Sequence, residues 1–277
     1  MSWLHHQAVL WLFAWCHGHP IFPGSFHRFR SGGITLSHAI DTSPVGTPPS
    51  GRTTIRRASE RGHYDRDTVH AIVDAAWLCH VAFTDTRGAA HEAEPFAVCL
   101  PTACWRIGNA LYIHGSNGSP MMRRLASGTV ACVTITHLDG LVLARSAFSH
   151  SMNYRSVVAY GRFSVVPDAD KPAVLDAFMA RLLPGREHEA RPADESELKA
   201  TLVLSMPLDE ASAKVRNWGP RDKEHDAHHP AWAGVLPLAI TRLPPVPDER
   251  SRATGQALPA SVTDWLAADP GPAPLSP

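Results

Sequence analysis

The residues best equipped for chemistry lie between Leu111 and Phe163, in two groups. The first is the turn His114-Gly115-Ser116-Asn117-Gly118-Ser119, which leads into Pro120. Serine as N-cap and proline at the first helical position make this a helix start. Free backbone N–H groups and the helix dipole favour an anion there, and Arg123 and Arg124 add positive charge. The competing reading is a loop followed by an ordinary capped helix. The second group is SAFSHSMNYRS, residues 146–156, set in a strand-like region. Hydroxyls, amides and an arginine at that density are costly beside buried strands unless a ligand or a partner chain satisfies them. The mixture suits a phosphate and a polar aromatic ring system. On a strand, Asn153 and Arg155 share one face, and Tyr154 and Ser156 the other. Pro101-Thr102, at a strand end, can present backbone and hydroxyl groups to a ring edge. Lys214 and Arg216 share a strand face in SAKVR and can reach a phosphate.

Other constellations are weaker. EHDAHHP offers His225, Asp226, His228 and His229, but the spacing matches no i, i+4 pair with a third ligand, so no metal site is expected. Ser146, Ser149, His150 and Ser151 lack a G-x-S-x-G elbow. No G-x-G-x-x-G or P-loop is present.

The chain has 277 residues, with 26 Lys plus Arg against 26 Asp plus Glu. That balance leaves no global field to draw it to nucleic acid or an anionic membrane. Cys16, Cys79, Cys99, Cys104 and Cys132 are odd in number and lack a CxxC pair. They read as reduced thiols of a cytoplasmic protein, with Cys79, Cys99 and Cys132 expected in the core. No apolar run reaches the roughly 18 residues needed to span a bilayer.

Three regions are expected: an extension over 1–58, a folded domain over 59–242 and a proline-rich tail over 243–277. The apolar run Ala8 to Cys16 has no preceding Lys or Arg and no small-residue cleavage site. It reads as a disordered or non-native extension, the alternative being a genuine targeting segment, and it is followed by the PVGTPPSGRTT stretch. In the domain, Asp65 caps a helix over 65–76, with Val69, Ile72, Val73 and Ala76 on one face. Strands follow at Trp77–Thr84, Pro95–Leu100 and Ala110–His114. Asp139-Gly140 predicts a hairpin between Thr129–Thr136 and Leu141–Ala147. A strand over Tyr154–Val166 precedes a helix capped by Asp168, and Leu198–Leu208 and Ala213–Trp218 are the last strands. Helices do not alternate with strands, so the class is mainly β: an antiparallel, Greek-key-like, closed or half-closed barrel with peripheral helices.

ERGHYDRDTVHAIVDAAWLCHVAF, LPTACWRIGNALYIHGSNGS, THLDGLVLARSAFSHSMNYRSVVAYG, ELKATLVL, SAKVR and WAGVLPL fall in this order between Glu60 and Leu238. Together they resemble the flavin-nucleotide-binding branch of the pyridoxamine 5'-phosphate oxidase-like superfamily, to which nitroimidazole-resistance reductases are related. The resemblance implies an FMN-binding split β-barrel, usually a homodimer with FMN at the subunit interface. It implies that Pro101 and Thr102 lie along the flavin ring, and that His114, Gly115 and Ser116 touch the ring or ribityl chain. Ser119 and Met121 would hold the phosphate. Asn153 takes the place of a glutamine facing the flavin, with Arg155 its neighbour. Where the oxidases have Ser-Arg-Lys, this chain has Ser119-Pro120-Met121, so Arg123, Lys214 or Arg216 must supply the missing cations. The implied activity is a flavin-dependent oxidoreduction of a small molecule, nitroreductase-like or oxidase-like, with His114 and Tyr154 as proton-donor candidates. Alternatives are a flavin-binding module without turnover, a deazaflavin (F420) protein, and a haem-binding or haem-degrading split barrel.

Overall fold

A computed structural model describes residues 44–86 and 94–268. In chain order the elements are β1 (Gly62–His63), α1 (Arg66–Asp74), β2 (Leu78–Asp85), β3 (Phe96–Ala103), β4 (Trp105–Ile107), β5 (Ala110–Ser116), α2 (Pro120–Ala126), β6 (Val130–Leu143), β7 (Ser151–Arg162) and β8 (Ser164–Val165). Then come α3 (Lys171–Leu182), α4 (Arg186–Glu189), α5 (Glu195–Ala200), β9 (Thr201–Pro207), β10 (Ala211–Arg216), β11 (Gly234–Pro237), α6 (Glu249–Ala253) and α7 (Ala260–Ala267). One sheet runs β1-β10-β7-β6-β2-β3, with β11 also on β6; the other runs β4-β5-β9-β8. The chain crosses between the sheets at Cys104. All the strand pairs are antiparallel. The architecture is the mainly β, antiparallel split barrel with peripheral helices that the sequence led us to expect.

Alternation puts Cys79, Val81 and Phe83 of β2, Ala131, Val133 and Ile135 of β6, and Val157 and Ala159 of β7 into one core. Leu111 and Ile113 of β5 and Leu204 and Met206 of β9 close it from the second sheet, and α1 and α2 add Val69, Ile72, Val73, Met122 and Leu125. Each of the larger aliphatic, phenylalanine and methionine side chains among them contributes about 1.5–3 kcal/mol by leaving water. Asp65 caps α1 by accepting from the Thr68 amide at 2.8 Å. Trp105, Val166 and Val203 form a second cluster, against which Tyr112, Val174, Leu175 and Phe178 pack. The second sheet is therefore buried on both faces, which explains the near-continuous apolar run in β9.

Several expectations are corrected. No hairpin forms at Asp139-Gly140: β6 runs unbroken, and the register against β7 shifts between Leu138 and Gly140. The DG is a bulge. Arg155 of β7 clamps Asp139 with Nε to Oδ2 at 2.9 Å and an Nη2 bond to Oδ1 at 2.8 Å. A Cβ on Gly140 would meet the Leu236 carbonyl oxygen at 3.0 Å, so glycine lets β11 pair there. Asp168 does not cap α3; Asp170 occupies that position, and Asp168 pairs with Lys171 at 2.7 Å. Cys99 is exposed, because β3 ends its sheet, whereas Cys79 and Cys104 are buried.

Residues 1–43 of the expected extension lie outside the described residues. Residues 44–58 are tied to the domain, Val45 bridging His63 and the Ser50 hydroxyl bonding Glu210 at 2.6 Å. The proline-rich tail holds α6 and α7, with the Arg242 guanidinium 4.2 Å from the Trp265 ring centre.

Candidate functional site

The first group of candidate residues surrounds the end of β5 and the start of α2. Ser119 caps α2 as expected, its hydroxyl accepting from the Met122 amide at 3.4 Å. Gly115 is needed because a Cβ there would lie 2.8 Å from Met122 Cγ, where α2 packs on β5. The turn uses most of its own donors. The Gly118 amide donates to the Ser116 hydroxyl at 3.1 Å, the Ser119 amide to the Ser116 carbonyl at 2.9 Å, and the Asn117 amide to the Ala200 carbonyl at 2.9 Å. Arg123 Nε donates to the Asn117 carbonyl at 2.6 Å. The turn thus satisfies the Asn117, Gly118, Ser119 and Met122 amides internally; Met121 is half-buried against the core. Pro101 and Thr102 sit on β3, whose outer edge has no strand partner among the described residues. Its unpaired backbone groups and exposed Phe96 and Leu100 fit a flat ring with a hydrogen-bonding rim.

His114 alternates away from Leu111 and Ile113 and enters the second cluster, packed against Trp105 and Phe178 at centroid distances of 5.6 and 4.7 Å. Its Nδ1 is buried without a hydrogen-bond partner. Burial holds its pKa below the ordinary imidazole value, so the ring is kept neutral.

The second group lies on β7 and β10. Ser156 pairs with Lys214 and Tyr154 with Arg216, so these four share a sheet face, and Arg155 alternates to the other; Asn153, beyond the register paired with β10, does not stay with Arg155 but reaches Arg216. Asn153 is buried and its amide oxygen accepts from Arg216 Nη1. Arg155 is committed to Asp139, which together with the hydrogen bonds raises its pKa. Lys214 Nζ donates to the Arg57 carbonyl at 2.9 Å.

Within one chain the two groups are not brought together. Three strand spacings, about 14 Å at 4.8 Å each, separate β3 from β7. The Leu138 row that faces Tyr154 lies eight residues, about 26 Å, along β6 from the end that follows α2. What the sequence did not reveal is the company Arg216 keeps. Arg61, from the far end of the domain, gathers with Arg216 and Arg221 on the Trp218 ring. The only sequence signal was the number of arginines near each end of the domain.

The fold and its known relatives define a flavin-binding split-barrel class of protein. Residues 65–215 match the family model described as pyridoxamine 5'-phosphate oxidase, and the chain belongs to that family. It is similar to the flavocytochrome Anf3 from Azotobacter vinelandii, at 37% identity over 79% of this chain and 98% of that one, with a TM-score of 0.71. It is also similar to a FAD and heme binding protein from Mycobacterium smegmatis, at 37% identity over 74% of this chain and 96% of that one, with a TM-score of 0.68. A 5-nitroimidazole antibiotic resistance protein from Bacteroides thetaiotaomicron shares 22% identity over 55% of this chain and 84% of its own, with a TM-score of 0.43. No functionally curated protein matches. Among the described residues, no helix is long and apolar enough to cross a membrane.

Proposed function

We propose that this protein is a flavin-dependent oxidoreductase that also holds a haem, moving electrons between the two groups and a small-molecule partner. One observation carries the reading: 37% identity extends over nearly the whole length of two proteins named for a flavin or flavocytochrome and a haem. The same observation favours FAD over the FMN that the family resemblance implied. When bound, the flavin supplies hydride and single-electron chemistry and the haem single-electron chemistry.

The chain's own residues would hold these groups. The outer edge of β3, unpaired among the described residues, with Pro101 and Thr102, offers backbone donors and acceptors to a flavin rim. Ser116 offers a hydroxyl nearby. His114 suits a haem iron because a neutral imidazole is the ligating form and its ring already lies against Trp105 and Phe178. His150 is the competing donor: its Nδ1 lies 3.0 Å from the Ser146 carbonyl, which would leave Nε2 outward.

A homodimer belongs to this reading. Met152, Leu141 and Leu236 are directly paired across β7, β6 and β11, and all are exposed. An apolar row of that kind calls for a partner, and a second copy is the occupant by which the two candidate groups can meet. The free thiols suit a reducing, cytoplasmic setting.

The test is the spectrum of the purified protein with His114→Ala and His150→Ala beside it. Flavin bands and a Soret band are expected in wild type. His114→Ala should lose the Soret band and keep the flavin, and His150→Ala should keep both. A preparation that takes up neither group overturns the reading.

A further inference from the structure

The far end of β10 holds more positive charge than the described residues neutralise. Arg216 is 4% exposed. Its Nη1 donates to the Asn153 amide oxygen and, at 2.7 Å, to the Trp218 carbonyl; Nη2 donates to the Gly219 carbonyl at 3.2 Å. Every one of these acceptors is neutral, and Nε is buried with no partner. Two more guanidinium groups share the same indole. The distances to the Trp218 ring centre are 4.5 Å for Arg221, 5.2 Å for Arg216 and 5.4 Å for Arg61.

Carboxylates nearby do not balance them. Glu60 lies 3.5 Å from Arg61 Nε, yet that nitrogen is buried without a hydrogen bond. Asp222, next to Arg221 in sequence, is taken by Arg145 at 3.0 Å. Among the described residues, three cations and one carboxylate leave an excess of two positive charges around one buried guanidinium. Burial, then Arg61 and Arg221, push the Arg216 pKa down, with only the Tyr154 phenol opposing them. An indole face attracts cations but does not cancel their mutual repulsion. A planar guanidinium fork is shaped for two oxygens of a phosphate or carboxylate, and such charge-assisted bonds are the strong ones.

We propose that Arg61, Arg216 and Arg221, gathered on Trp218, form an oxyanion-binding site that takes a phosphate or a pair of carboxylates. The site is separate, within one chain, from the turn before α2. Its ligand rests on the flavin and haem reading for its source: the phosphate of a flavin nucleotide or the propionates of a haem carry the same chemistry, as does free phosphate.

The test uses the full chain and the variants Arg221→Gln and Arg61→Gln, which lie at exposed or half-exposed positions and leave Arg216 in place. Folding is checked by circular dichroism. Affinity is measured for FAD and FMN against riboflavin, for haem against haem dimethyl ester, and for inorganic phosphate at constant ionic strength. Each variant is expected to weaken at least one charged probe about tenfold and leave its uncharged analogue unchanged, one charge-assisted contact being lost. Loss with FAD and FMN assigns the flavin phosphate, loss with haem the propionates, and loss with inorganic phosphate alone a different anionic ligand. If folded variants bind every charged probe as wild type does, or wild type binds none of them, the proposal is overturned. A wild type that ignores flavin and haem but binds phosphate through these arginines would sink the functional reading and leave this site standing.

Discussion

Arg155 shows how a residue suited to a cofactor can be spent on the fold. Its fork closes on Asp139 across the bulge of β6, with both partners largely shielded from water. Arg155→Ala is expected to destabilise the protein by about 2 kcal/mol, read from the urea midpoint, because a half-buried carboxylate loses two charge-assisted bonds. Arg155→Lys should recover little of this, since an ammonium cannot reproduce the fork. His114 gives a pH signature. Its folded pKa lies below the ordinary value of 6.5, because burial disfavours the charged ring. As pH falls through 6.5 the unfolded chain takes up a proton that the folded chain refuses, so stability is present above that pH and declines below it. Wild type without haem should therefore lose more stability between pH 7 and pH 5 than His114→Phe, measured by urea titration at both values. An equal loss would remove His114 as the cause.

The elements were legible where local chemistry decides them. Asp65 and Ser119 announce α1 and α2, alternation announces β2 and β5, and a near-continuous apolar run announces β9. Asp139-Gly140 misleads because the same two residues serve a turn or a bulge. The choice is made by Arg155 and by β11, which lies about a hundred residues downstream. This makes Gly140→Ala informative: its Cβ would press on the Leu236 carbonyl at 3.0 Å. Hydrogen exchange at 234–237 is expected to quicken markedly, while β2, β6 and β7 near Val133 keep their protection. Unchanged exchange at 234–237 would mean that β11 is held by something other than this close approach.

For the whole molecule, assembly and cofactors are the open terms of the proposal. Leu141→Glu, in the middle of the Met152–Leu141–Leu236 row, should convert a dimer to a monomer by light scattering, because a charge is placed where an apolar face must dry. A dimer that persists would locate the interface elsewhere. The candidate site was only half legible in the sequence. The turn before α2 was visible as a helix start, but its amides prove to be used by Ser116 and Ala200. The arginines around Trp218 were not visible, because Arg61 joins residues 216–221 only through the pairing of β1 with β10.

The most direct measurement is the identity of what the full-length protein carries: acid extraction with mass spectrometry for the flavin, and the pyridine haemochrome spectrum for the haem. The account predicts FAD and a haem on the same preparation. A protein that carries neither, and takes up neither when both are supplied, would contradict it.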